Sequence, residues 1–318
     1  MSSPHDKTST LDLIRASKTY YRNTRYLHLS CQFVSHHPLK MGAWKILTTL
    51  MLLGLGGQVN AKPSFKNNGT LDGWDGQSLE KGTQGTITES TSSVFNGDTS
   101  LKMTQTYLPD YTGRYHAEVY KKDGYVPGDS KFYGFAFRLE EKWQFDKQSF
   151  NLAQFIADFT GDSKGCDDWM PSTMVWMVGD QLKTRTKTGD ICNQKTTSFD
   201  AGKVKAGFWH TVVLEAAWHA DDKGLLRMWL DGNPVLNKTG VPTTIEDTKK
   251  RAFSFRVGLY ANGWHDDKKL VGNQKTRQVW YDEIAMGDTY EDVEPRPDKN
   301  AVQMTPAAAK RDGGVVYF

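Results

Sequence analysis

The chain has 318 residues and a formal net charge of +3, with Lys and Arg nearly balanced by Asp and Glu. A charge this small and this evenly scattered argues against nucleic-acid binding. Any affinity for anions must therefore be local, and we look for it in particular strands.

The N-terminal part contains a pattern typical of export. A basic residue, Lys45, precedes the apolar run Ile46–Leu55, and the small-residue sequence Val59-Asn60-Ala61 follows. This order is typical of a secretory signal peptide, and the run is too short to span a bilayer. We predict a signal peptide at residues 41–61 and a secreted protein that is not membrane-bound. Residues 1–40 are interpreted as a disordered leader or a gene-model extension.

From residue 62 onward the apolar residues follow period two, in short runs separated by turn residues. This pattern without a long helix predicts an all-β protein, a jelly roll of two antiparallel sheets with a concave cleft, in one domain over residues 62–291. The Pro- and Ala-containing residues 292–318 are predicted to be a disordered tail. The predicted strands are Ser100–Gln105, Tyr115–Lys121, Lys131–Leu139, Asn151–Phe159, Thr173–Val178, Gln181–Thr186, Trp209–Trp218, Gly224–Leu230, Ala252–Tyr260 and Gln278–Met286.

Two local features accompany these strands. Asp231-Gly232 is a strong hairpin signal, and Pro234 directly after it is expected in an edge strand. Cys166 and Cys192 both lie among loop-forming residues, and in an exported protein the simplest interpretation is one disulfide.

Strand alternation separates core positions from outward-facing polar ones. In the strand that contains His116, the residues Arg114, His116, Glu118 and Tyr120 share the face opposite Tyr115, Ala117 and Val119. In the strand ending at Tyr260, the non-core face carries Arg256 and Tyr260, and Gly258 between them is expected to leave room for a ligand.

Two further strands carry polar side chains of interest. Gln154 lies among apolar neighbours on a predicted central strand, where its amide needs a hydrogen-bond partner. Lys183, Arg185 and Lys187 alternate along another strand and form a cationic stripe. This stripe can be interpreted either as a solvated outer face or as an anion-binding face.

The chain resembles the glucuronan lyases, a family of secreted fungal jelly-roll enzymes that cleave polyglucuronate by β-elimination. The resemblance extends from about Phe65 to Asp288, and its broader pattern is shared with heparin-lyase-like and laminin-G-like jelly rolls. It is strongest in Asn151–Phe155, Phe208–Leu214, Arg227–Gly232, Val257–Asn262 and Trp280–Ile284.

The resemblance implies a cleft that contains His116, Gln154 and Tyr260. Elimination requires a base for the C5 proton, an acid for the leaving O4 and a donor that stabilises the C6 carboxylate. Gln154 is predicted to neutralise the carboxylate, while His116 and Tyr260 share the base and acid roles in an order left open. Arg114, Lys183, Arg185 and Arg256 are predicted to bind neighbouring uronate groups.

The resemblance also implies a structural calcium ion remote from the cleft, with no cofactor for catalysis. Asn96, Asp98 and Asp282 are the predicted oxygen ligands. A plain Asn-Gly-Asp turn remains the alternative. We expect a monomer whose partner is an acidic polysaccharide.

A glycoside hydrolase, a lectin and a lyase for another polymer are the alternative functions. A glycoside hydrolase needs two suitably spaced carboxylates, and Asp282 and Glu283 are adjacent and project to opposite strand faces. A non-catalytic lectin-like jelly roll stays open, because a cleft that binds uronate resembles one that cleaves it. A lyase acting on another uronate polymer, such as alginate, also stays open.

Overall fold

The computed structural model of the protein describes residues 62–163 and 165–297. The predicted leader, signal peptide and most of the predicted tail lie outside these residues. Within the described ranges, no helix is long and apolar enough to cross a membrane.

The described chain forms two antiparallel sheets, which confirms the predicted all-β jelly-roll fold. The first sheet has the spatial order β13 (Asn233–Thr239), β12 (Leu225–Leu230), β11 (Trp209–Ala217), β6 (Ser130–Leu139), β15 (Thr276–Gly287), β4 (Ser100–Thr106) and β3 (Thr86–Ser90), and β1 (Phe65–Asn67) pairs with β15. The second sheet has the order β10 (Lys195–Lys203), β9 (Gln181–Thr188), β8 (Trp169–Val178), β7 (Ser149–Asp158), β14 (Phe253–Tyr260), β5 (His116–Tyr125) and β2 (Gly76–Leu79). Two short helices, α1 (Asn262–Asp267) and α2 (Tyr290–Val293), complete the described elements.

The core lies between the two sheets and follows the predicted alternation. On β14, the side chains of Phe253, Phe255, Val257 and Leu259 are buried in one apolar cluster. Burial of each large apolar side chain contributes about 1.5–3 kcal/mol relative to exposure, so these positions hold the second sheet in place. The opposite face of β14 is then free to form the floor of a cleft.

The hairpin between β12 and β13 has the geometry that its sequence predicts. Asp231 and Gly232 both adopt positive φ, at 52° and 73°. Positive φ at both central residues is the requirement of a type I′ turn, whose twist matches that of the flanking strands. Pro234 follows in β13, which is an edge strand as expected.

The folded domain continues beyond the predicted boundary at residue 291. Helix α2 begins at a capping box in which the Thr289 hydroxyl accepts from the backbone N–H of Asp292. Val293 then packs against Val213 and Ala285. A capped helix that buries an apolar residue belongs to the domain, which therefore extends at least to Val293, beyond the predicted boundary.

The predicted disulfide between Cys166 and Cys192 is present, with a sequence separation of 26 residues. It joins the loop before β8 to the loop between β9 and β10. We expect the Cys166→Ser/Cys192→Ser double variant to lose about 3 kcal/mol of unfolding free energy, because an open chain has more conformational entropy when unfolded. Urea denaturation measures this loss. Equal stability of the two proteins would contradict it, and reduced wild-type protein is the control.

Candidate active site

The second sheet carries a cleft on the face that points away from the core. The cleft has a volume of about 590 Å³. Its floor crosses the strands β9, β8, β7, β14 and β5, so that residues far apart in sequence meet on one surface. A groove running across strands suits an extended chain-like ligand.

Sheet pairing brings together the three residues that the sequence predicts as catalytic. His116 of β5 lies opposite Tyr260 of β14, and Gln154 of β7 lies opposite Arg256 of β14. The rings of His116 and Tyr260 stack with a centroid separation of 3.8 Å. All four side chains line the cleft.

Beneath these residues lies Glu118, a carboxylate for which sequence reasoning assigned no role. It is fully buried. Nδ1 of His116 lies 2.7 Å from its Oε2, and Nε2 of Gln154 donates to Oε1 at 2.8 Å and to Oε2 at 2.9 Å. The available signal was its position two residues after His116, which puts both side chains on the same strand face.

Glu118 is ionised, and as an acceptor it determines which ring nitrogen of His116 carries the proton that faces it. Burial by itself raises the pKa of Glu118, but the charge and hydrogen bond of His116, the charge of Arg256 and the Gln154 amide outweigh it, so the pKa lies below its usual value. An ionised carboxylate can only accept, and we therefore assign a proton to Nδ1 of His116. Nε2 is the ring nitrogen left for chemistry.

Tyr260 is held as a neutral phenol next to a cation. Burial raises its pKa to about 12, although Arg114 opposes this shift. Nη1 of Arg114 donates to the Tyr260 hydroxyl oxygen at 2.9 Å. The phenol therefore keeps its proton at neutral pH, and Arg114 is positioned to stabilise the oxygen whenever that proton is given away.

Arg256 lies in the cleft as predicted, between two aromatic rings. Its guanidinium carbon lies 5.2 Å from the ring centroid of Tyr120 and 5.3 Å from that of Trp169. Its Nη1 lies 3.9 Å from Oε2 of Glu118. The aromatic contacts and the carboxylate hold a positive charge beside Gln154.

The structure separates the residues of the predicted cationic stripe. Arg185 and Lys187 line the cleft, whereas Lys183 is not among the lining residues. The ammonium group of Lys183 instead pairs with Asp200 on the neighbouring edge strand β10. Its charge is thereby balanced outside the cleft.

Gly258 serves the sheet rather than a ligand, contrary to the expectation. A Cβ atom at this position would lie 2.3 Å from the carbonyl oxygen of Ala117 and 2.5 Å from Cα of Glu118. Its φ of 148° is also rarely adopted by other residues. The glycine lets β14 approach β5 closely, which brings Tyr260 onto His116.

The predicted calcium ligands are only partly brought together. Asp282 accepts backbone N–H groups from Phe95 and Asn96, each at 3.0 Å, and burial raises its pKa to about 6. Asp98 is exposed, and the Asn96 amide donates to Glu283, which also binds Lys66.

No group of three or more His, Cys, Asp or Glu in the described residues is arranged to hold a metal ion. Asp282 and Asn96 are already held by protein partners and Asp98 is exposed, so these three side chains do not form a calcium site by themselves. Calcium stays a prediction, which melting curves with and without a chelator can test.

Comparison with known proteins gives the family. A model described as polysaccharide lyase matches residues 66–285. A crystal structure of endo-β-1,4-glucuronan lyase from the fungus Trichoderma reesei matches with 49% identity and a TM-score of 0.71, covering 74% of this chain and 100% of that chain.

Other solved structures match more weakly. The cellulose-induced protein Cip1 has 13% identity and a TM-score of 0.46, over 71% of this chain and 97% of that one. An alginate lyase from Aplysia kurodai has 10% identity and a TM-score of 0.45, over 72% and 100%. Curated protein sequences include no significant match. Because the family model spans most of the chain and the fungal lyase is covered over its whole length, this protein belongs to the polysaccharide lyase family.

Proposed function

We propose that this protein is a secreted endo-acting lyase that cleaves β-1,4-linked polyglucuronate by β-elimination and leaves a 4,5-unsaturated end. The observation that carries the proposal is the grouping of His116, Gln154 and Tyr260 on one cleft floor above Glu118. The 49% identity to a glucuronan lyase supports the choice of substrate.

Gln154 is proposed to stabilise the C6 carboxylate as negative charge builds up. One N–H of its amide is enough for the contact with the two Glu118 oxygens, at 2.8 and 2.9 Å. The second N–H can then donate to the substrate. Arg256, which lies opposite Gln154 on β14, adds a positive charge. A donor held in advance at the site of developing charge costs no reorganisation during the reaction.

His116 and Tyr260 are proposed as base and acid. With Nδ1 of His116 held by Glu118, the free Nε2 takes the C5 proton, and the electron pair expels O4. The neutral Tyr260 phenol gives its proton to the leaving O4. Arg114 stabilises the phenolate until proton transfer from the imidazolium restores the starting state.

The stacking of these two side chains suits the stereochemistry of glucuronate. In a β-1,4-linked D-glucuronate ring, the C5 proton and O4 lie on the same face. A base and an acid whose rings are 3.8 Å apart approach the sugar from one side and so serve a syn elimination. In L-guluronate the C5 proton and O4 lie on opposite faces of the ring. His116 and Tyr260, which approach from one side, are poorly placed for that anti elimination.

Secretion is part of the proposal and is supported by the export pattern over residues 41–61. The disulfide between Cys166 and Cys192 agrees with an oxidising compartment. The check is N-terminal sequencing of protein secreted by a fungal host, where a start near Lys62 is expected. Retention of the chain inside the cells would contradict this.

The decisive experiment is incubation of the purified protein with polyglucuronate, alginate, pectate and heparin. Formation of the unsaturated product is followed by its ultraviolet absorbance. We expect product from polyglucuronate. Product mainly from alginate would favour the other-uronate alternative. Binding of a polymer without product from any of them would favour the lectin-like alternative and contradict a lyase.

We expect Gln154→Ala to lower kcat on polyglucuronate by about 10²-fold, because the developing carboxylate charge loses a fixed donor. The expected effect on KM is smaller. Gln148→Ala is the matched control, since this buried glutamine donates to the Gly263 carbonyl and Asp267 outside the cleft. Full activity of Gln154→Ala would show that the carboxylate is stabilised elsewhere.

A further inference from the structure

Two positively charged side chains lie at the β9 end of the cleft, away from the catalytic group. Arg185 and Lys187 occupy alternate positions of β9 and therefore project to the same face. Both line the cleft. Neither takes part in the contacts among His116, Gln154 and Tyr260 described above.

These two cations are partly buried without a carboxylate in ion-pair contact among the described residues. Nη2 of Arg185 donates to the Pro171 carbonyl at 3.0 Å, and its buried Nε has no partner. Nζ of Lys187 donates to the Gln194 side-chain oxygen at 2.5 Å. Burying a cation without a counter-ion costs free energy, so a bound anion would complete the arrangement.

The pKa values of both side chains are lowered, which agrees with buried cations that lack a bound anion. Burial lowers the pKa of Arg185 to about 10. Burial and the charge of Arg185 lower the pKa of Lys187 to about 8, while Asp167 acts in the opposite direction. Asp167 also lies 3.5 Å from Arg114, so its charge is shared between two cations.

The position of the pair places it beyond the sugar that is cleaved. Strand β8 lies between β9 and β7, so Arg185 and Gln154 belong to strands about 10 Å apart. Pro171 and Met174 of β8 form the cleft surface between them. The Gln154 amide contacts Glu118 on the side away from β9, whereas the Arg185 guanidinium contacts Pro171 of β8, so we place the two groups at different sugar units.

We propose that Arg185 and Lys187 form a subsite that binds the carboxylate of a uronate unit neighbouring the one that is cleaved. This inference rests on the proposed function and deepens it. An acidic polymer carries a carboxylate on each unit, so one chain can place carboxylates at both the catalytic group and this subsite. A neutral polymer has no carboxylate to pair with Arg185 and Lys187.

The test compares Lys187→Gln and Arg185→Gln with Lys183→Gln on polyglucuronate. Lys183 is the matched control, because it lies on the same face of the same strand but pairs with Asp200 outside the cleft. Loss of a charge-assisted hydrogen bond is expected to raise KM about tenfold in each subsite variant, with a smaller change in kcat. Lys183→Gln is expected to keep the wild-type KM.

The pH dependence gives a readout that a structural role would not produce. Lys187 carries its charge below its pKa of about 8 and loses it as pH rises, so the wild-type KM should rise through that range. The Lys187→Arg variant, which stays charged, should show a flatter profile. Lys187→Arg with the same pH profile as wild type would contradict the role of Lys187.

The two proposals fail in distinguishable ways. If the wild-type protein forms product but Lys187→Gln and Arg185→Gln keep its KM, the subsite is wrong and the proposed function stands. If the wild-type protein forms no product from any uronate polymer, the proposed function is wrong. In that case, calorimetry measures the affinity of polyglucuronate for the wild-type protein and for both variants. Equal affinities of the three proteins would contradict the subsite.

Discussion

Replacing Tyr260 with phenylalanine is expected to lower kcat on polyglucuronate by about 10³-fold, as for loss of a general acid. The substitution removes only the hydroxyl that accepts from Arg114, and the phenyl ring can still stack on His116. The fold should persist, because the altered atom contacts the cleft rather than the core. The measurement is the initial rate of unsaturated-product formation together with a melting curve.

The matched control for this prediction is Tyr111→Phe. The Tyr111 hydroxyl donates to the Arg114 carbonyl at 3.2 Å, so it also borders Arg114, but the side chain does not line the cleft. The control is expected to keep nearly the wild-type rate. A Tyr260→Phe rate close to that of the control would mean that another group protonates O4.

Replacing Glu118 with glutamine is expected to destabilise the protein by about 3 kcal/mol and to lower kcat. The neutral amide leaves the buried Arg256 without its anionic partner, which is the costly way to break a buried pair. It also removes the anion that holds Nδ1–H of His116 and the Gln154 amide. Glu118 therefore acts as a positioning residue, through His116 and Gln154.

The pH dependence of stability follows from the lowered pKa of Glu118. A carboxylate whose folded-state pKa is depressed stabilises the folded state above its unfolded-state pKa, and this contribution is lost as pH falls through the folded-state value. Wild-type unfolding free energy should thus fall on acidification more steeply than that of Glu118→Gln. Urea denaturation over a series of acidic pH values measures the difference.

A kinetic readout separates positioning from simple destabilisation. Without the carboxylate, Nδ1–H of His116 and the Gln154 amide lose the anion that orients them, so kcat should fall with a smaller change in KM. Glu215→Gln is the control, because it breaks the Glu215–Arg227 pair of 3.1 Å in the other sheet and should leave both constants near their wild-type values. An unchanged kcat in Glu118→Gln would contradict the role.

The strands that bury a face were all predictable, because period-two alternation records burial directly. The strands that sequence reasoning missed are β1, β2, β3, β10 and β13. Four of them form the outer ends of the two sheets, and β1 adds to β15 outside the main strand order. An edge strand has weaker contact with the core and can carry polar residues on both faces, so its alternation is faint. Backbone pairing with its neighbour determines such a strand.

For the site, period-two alternation is enough to place the polar residues of β5 and β14. It puts His116 and Glu118 on one face of β5 and Tyr260 on the outward face of β14, as the structure has them. Alternation does not reveal that β5, β14 and β7 are neighbours, that Glu118 contacts both His116 and Gln154, or that Gly258 admits the β5 backbone. Alternation is a local property of one strand, whereas strand order and close approach depend on pairing between distant segments of the chain.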